Sequence, residues 1–128
     1  MNPNDRPFIQ QLAAARREGR LLDISQTARL AEFAMPASLT PKLWRAIADE
    51  DPFHSSDPRV MSLCWCLFLM LKTRAYDREH VTGWSRTVWF EAIILGRKVQ
   101  VKAMAHLDDQ CQRVMTLMAP DEGCGFVR

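Results

Sequence analysis

The stretch Val88-Trp89-Phe90-Glu91-Ala92-Ile93-Ile94-Leu95-Gly96-Arg97-Lys98-Val99-Gln100-Val101-Lys102-Ala103-Met104-Ala105-His106 decides how the chain is read. Two runs rich in β-branched and aromatic residues, Val88–Leu95 and Val99–His106, flank the dipeptide Gly96-Arg97. A glycine first in a two-residue loop suits a type II′ hairpin. That register pairs Ile94 with Val99, Ala92 with Val101 and Phe90 with Ala103, so all six side chains share one apolar face. The same register sets Glu91 against Lys102 on the other face, a favourable cross-strand pair.

Outward from the hairpin, Asp108-Asp109 predicts a turn, and Arg113–Met118 a third strand that Pro120 ends. Val114, Thr116 and Met118 are expected on its buried face. The opposite face of the sheet then carries Trp89, Ile93, Leu95, Met104, Met115 and Leu117. A three-stranded sheet ordinarily leaves one face polar. This second face must therefore be covered, either by the N-terminal helices or by a partner.

Upstream, Asp57-Pro58 is a cap-then-proline signal for a helix over Pro58–Tyr76. That segment is apolar almost all round, the pattern of a helix buried on most sides. It is expected to pack on the Phe90/Ala92/Val101/Ala103 face, with Trp65, Leu67 and Phe68 mostly buried. Three shorter helices precede it. Pro7–Glu18 ends at Gly19 with Arg16, Arg17 and Arg20 near its negative end. Ser25 caps a segment reaching Phe33. Thr40 and Pro41 open a helix that closes at Asp49–Asp51. Leu21–Ile24 is an extended link able to add as an edge strand. The expected fold class is α+β: about four helices, with a central buried helix packed on a three-stranded antiparallel β-meander. It forms one domain over residues 1–128, with loose ends at 1–6 and 121–128.

Composition bounds the function. A hydrophobic content of 48% and a charged content of 25% over 128 residues belong to a globular chain that can build its own core. The net charge of +2 is too mild to demand nucleic acid and too positive for an acidic DNA mimic. Cys64, Cys66, Cys111 and Cys124 show no C-x-x-C spacing and read as reduced thiols of a cytoplasmic protein. No secretory signal is expected at the polar start Met1–Arg6. The apolar run Val60–Leu71 is about 12 residues, against the roughly 20 a membrane span needs.

Motifs of catalysis are missing. There is no P-loop, no G-x-G-x-x-G and no G-x-S-x-G. His106, Asp108, Asp109 and Cys111 crowd one turn, where aspartates are common for conformational reasons. No second His/Cys pair supports a metal there. Neither enzyme activity, nor a metal, nor a cofactor is expected. Basic residues cluster at Arg16/Arg17/Arg20, at Lys72/Arg74/Arg78 and at Arg97/Lys98/Lys102, with Tyr76, Trp84 and Trp89 interleaved. Aromatics among cations can stack nucleic-acid bases. They also supply the anchors of protein interfaces. Trp84, Trp89, Arg74, Arg78, Arg97, Lys98 and Lys102 are the candidate partner-binding residues on either reading.

Three blocks carry a family resemblance. The first is Leu22-Asp23-Ile24-Ser25-Gln26-Thr27-Ala28-Arg29, continuing through Phe33 and Pro36 to Leu39-Thr40 and Trp44. The second is Arg59-Val60-Met61-Ser62-Leu63-Cys64-Trp65. The third runs from Val101-Lys102-Ala103 through Asp108-Asp109 and Val114–Met118 to Pro120-Asp121-Glu122. Together they resemble an uncharacterised family of small proteins, a domain of unknown function from bacterial plasmids, phages and integrated elements. Glu32 departs from the pattern, which expects a glycine before Phe33. The resemblance implies a mobile-element setting and supplies no activity. From that setting the expected function is a small binding protein that inhibits a host defence complex by protein–protein contact, as anti-CRISPR proteins do. The alternative is a plasmid or phage accessory protein that binds DNA or RNA through its basic clusters. The expected partner is thus a host protein or nucleoprotein complex, with no membrane.

Overall fold

The computed structural model describes residues 5–123. In chain order its elements are α1 (Asp5–Arg17), β1 (Leu22–Asp23), α2 (Ser25–Leu30), β2 (Ala37–Leu39), α3 (Pro41–Ala48), α4 (Pro58–Thr73), β3 (Arg78–Val81), β4 (Ser85–Ile94), β5 (Arg97–Leu107) and β6 (Arg113–Met118). The strands form one mixed sheet in the order β1-β2-β6-β5-β4-β3. Neighbours are antiparallel except β2 and β6, which run parallel.

This corrects the expected three-stranded meander on a central helix. The β4-β5-β6 meander is only the middle of a six-stranded sheet. Two of the added strands are illegible from pattern. β2 has three residues, too few to show a period, and its alignment with β6 depends on a distant segment. β3 reads Arg78-Glu79-His80-Val81, which looks like a polar loop. Charge on an edge strand is a common defence against unwanted pairing.

The hairpin register differs from expectation by two residues. Ala92 pairs with Val99, Phe90 with Val101, Glu91 with Gln100 and Trp89 with Lys102. The loop is Leu95-Gly96, with φ of 49° and 84°, the two positive values a type I′ turn requires. A shift of two preserves which face each residue occupies, so face polarity could not separate the registers. The observed register brings Arg97 into the ladder, from where its guanidinium donates to the carbonyls of Ile47 (3.2 Å) and Ala46 (3.4 Å).

Helices lie on both faces of the sheet. On one, α2, α3 and α4 enclose a core with Phe90, Ala92, Val101, Ala103, Met115 and Leu117. On the other, Phe8, Ile9 and Leu12 of α1 pack on Met104 and Met118. The faces of β6 are therefore opposite to expectation: Met115 and Leu117 point to the main core, and Met118 points to α1. Along β6 both alternating sets are buried, so alternation cannot tell its faces apart, whereas toward the hairpin turn Ile93 on the α1 side stays 59% exposed.

Local signals explain the starts of α3 and α4. Thr40 Oγ1 accepts the Leu43 N–H at 3.2 Å, and Pro41 follows it. Asp57 caps α4 by accepting the Arg59 N–H at 2.9 Å. Ser25 does not cap α2. Its N–H bonds the Asp23 carboxylate at 3.0 Å, and its hydroxyl accepts from the Ala37 N–H at 3.0 Å, tying the helix start to β2. Glu32, where the resemblance expects a glycine, has a φ of 74°.

α4 is not central. Val60, Leu63, Cys64 and Leu67 are buried against the sheet, whereas Trp65 and Leu69 are 40% and 50% exposed on the outer side. No described helix is long and apolar enough to cross a membrane.

Candidate binding surface

Trp65 and Leu69 stand one turn apart on the outer face of α4, as i and i+4 positions do. Phe68 lies between them, half-buried. Its ring meets Trp65 edge-on at 5.5 Å and Phe33 edge-on at 6.1 Å. Lys72, one turn further, holds its ammonium 5.5 Å from the Phe68 ring centre. Arg74 follows at the C-cap in a left-handed conformation. The result is an exposed aromatic and aliphatic strip that ends in two cations. Sequence reasoning assigned this strip to the core. The available signal was the composition itself: a helix apolar all round has one side too many when a single sheet covers it.

The expected anchors are dispersed. Arg78, Trp89 and Lys102 are consecutive partners across β3, β4 and β5. The Arg78 guanidinium lies 3.8 Å from the Trp89 ring centre, and the Lys102 ammonium lies 5.9 Å from it on the other side. Lys102 is only 1% exposed. It donates to the Glu122 carbonyl and sits 5.4 Å from the Phe8 ring under α1. It is a structural cation rather than a surface one. Arg97 is turned to the end of α3, where a cation meets unpaired carbonyls. Trp84 is exposed at the β3–β4 turn, with Arg6 4.6 Å over its ring. Lys98 and Arg74 remain exposed. Of the seven, the fold unites only Arg78, Trp89 and Lys102.

Burial pushes the Cys64 thiol up to about 12, which suppresses the nucleophilic thiolate. Cys66 and Cys111 are also free, and Cys124 lies outside the described residues. At the β5–β6 turn, Asp108 accepts the N–H groups of Gln110 and Gln112, while Asp109 pairs with Arg17. Their carboxylates are thus turned to separate partners. The bond from the Arg86 guanidinium holds the Glu79 carboxyl below its usual range, helped by the Tyr76 hydroxyl. Among the described residues no three His, Cys, Asp or Glu side chains converge on a point.

No family model matches the chain, and no curated protein or solved structure shows significant similarity to it.

Proposed function

We propose that this chain is a protein-binding module that docks through the outer face of α4, with Trp65 and Leu69 at its centre. The observation that supports this is their exposure, 40% and 50%, on a helix whose other side is fully packed. Aromatic residues in such a position are the commonest carriers of interface energy. Lys72 and Arg74 at the end of the strip favour a partner with acidic groups there. The mobile-element resemblance supplies the setting: the partner is a host protein or nucleoprotein complex, and docking inhibits a host defence complex in the manner of anti-CRISPR proteins. The nucleic-acid reading is the weaker one, because Lys102 is buried and Arg97 is engaged with α3. Two cations are thereby withdrawn from the basic clusters that it needs.

The test is a pull-down with the tagged full chain from a bacterial lysate, with and without nuclease. A partner should survive nuclease and be lost in a Trp65→Ser/Leu69→Asp variant that melts like the parent. Retention by that variant, together with loss after nuclease or in Arg74→Glu/Lys98→Glu, would overturn the proposal.

A further inference from the structure

Along β5 the side chains that face the main core step down once in size, from Val99 and Val101 to Ala103 and Ala105. The sheet surface therefore lies lower toward the end of the strand. A cavity of about 160 Å³ results. Its floor is Val88, Ala105 and Met115, and its walls are Phe33, Leu67 and Leu71. An apolar cavity of about 150 Å³ accepts one benzene ring. The space suits a single aromatic or branched aliphatic side chain.

Two arginines, Arg86 and Arg113, also line it. They are not equivalent. Arg86 is paired with Glu79, so its charge is compensated within the protein. Arg113 has no acidic partner among the described residues. The cavity thus combines an apolar interior with one uncompensated guanidinium, a group that binds carboxylate in a two-pronged geometry. Phe33 belongs both to the cavity wall and to the ring series Phe33–Phe68–Trp65 that leads to the exposed face of α4.

We propose that this cavity is the anchor pocket of the docking face. It takes a phenylalanine or leucine side chain of the partner polypeptide, while an adjacent aspartate or glutamate of that polypeptide engages Arg113. This rests on the protein-binding reading above, and it specifies the chemistry of the partner segment. The continuity of the cavity wall with the exposed strip is what favours a polypeptide over a free small acid.

Defined probes test it on the full chain by methyl NMR of Met35, Leu67, Leu71 and Met115, all of which line the cavity. Acetyl-Phe-Asp-amide should shift these methyls saturably. Acetyl-Phe-Lys-amide and acetyl-Ala-Asp-amide should bind about tenfold more weakly, the scale of one lost charge-assisted bond or one lost apolar anchor. Arg113→Glu should reverse the preference between the Asp and Lys probes. Ala105→Phe should fill the floor and remove binding, and Arg113→Glu, which leaves the floor unchanged, reads the same pocket through its charge if Ala105→Phe does not fold. Unmoved methyls, or equal affinity for the Asp and Lys probes, would overturn it. Phenylacetate binding as tightly as acetyl-Phe-Asp-amide would assign the pocket to a small acid and overturn the polypeptide occupant. If Trp65→Ser/Leu69→Asp loses the captured partner while Arg113→Glu keeps it, the docking face stands and the pocket fails. If the Asp probe binds but Trp65→Ser/Leu69→Asp keeps its partner, the docking face fails instead.

Discussion

His106 Nε2 lies 2.9 Å from Thr116 Oγ1 on the neighbouring strand, and both residues are buried beneath the α1 side of the sheet. The other ring nitrogen, Nδ1, lies 3.1 Å from the Leu107 carbonyl. A carbonyl only accepts, so Nδ1 carries the proton; in the neutral ring that burial favours, Nε2 is then the acceptor and the Thr116 hydroxyl donates to it. The ring is neutral in this arrangement. Burial holds its pKa below the ordinary 6.5, opposed by the Leu107 carbonyl and Asp108.

The unfolded chain therefore binds a proton at His106 before the folded one does. Stability should be full above about pH 6.5 and fall as pH drops toward the depressed folded value, by at most about 1.4 kcal/mol per pH unit. Urea midpoints between about pH 7.5 and pH 5 check this, and His106→Gln should flatten the slope. Asp57, Glu79 and Asp121, also held low by their basic partners, act below their ordinary values of 3.8 to 4.5, outside that window.

The two sides of α4 should separate cleanly in a denaturation series. Leu67→Ala removes a side chain that is 1% exposed and should cost about 2–5 kcal/mol. Leu69→Ala, two residues on and facing outward, should cost less than about 1 kcal/mol. Equal losses would mean that the strip around Trp65 is part of the core.

Thr40 joins two parts of the chain. Its hydroxyl caps α3 and also donates to Glu122 Oε2 at 2.6 Å, and the same oxygen accepts the Ala119 N–H at 2.7 Å. Thr40→Ala should destabilise by about 1–2 kcal/mol. A double-mutant cycle with Glu122→Gln should show coupling, because the two residues share one network. Additive losses would argue that the capping bond acts alone.

Glu32 and Leu95 both hold a positive φ, 74° and 49°, that side chains other than glycine and asparagine adopt at a cost. Glu32→Gly and Leu95→Asn should each raise stability by about 0.5–1 kcal/mol. Thermal melts of the single variants are sufficient, and lower melting temperatures would contradict the backbone assignment.

Arg97 and Lys98 are adjacent but should behave differently. Arg97→Ala loses two bonds to α3 carbonyls and should destabilise by about 1 kcal/mol. Lys98→Ala should stay within about 0.5 kcal/mol of the parent. Matching chemical denaturation curves for the two would remove Arg97 from the structural role given to it.

How much of this was legible depended on the range of the signal. The caps at Thr40 and Asp57 are contacts within three residues, and they stand in the structure as the sequence pattern implies. The cap expected at Ser25 moved because its hydroxyl found a partner twelve residues away, at Ala37. The seven candidate anchors qualify by residue type. Residue type does not reveal that Lys102 lies beneath α1 or that Arg97 reaches α3.

Local chemistry thus determined the starts of α3 and α4, the β4–β5 hairpin and which residues of that hairpin share a face, because each depends on neighbours in the chain or on a period of two. Tertiary structure decided the rest. It set the register of the hairpin, since a two-residue slip leaves both faces unchanged. It extended the meander to six strands, since β2 acquires its place only by lying parallel to β6. It also decided which apolar side of α4 would be buried. The residues of that helix qualify for the core on every side, but one sheet can cover only one side, and Trp65 and Leu69 were left facing outward.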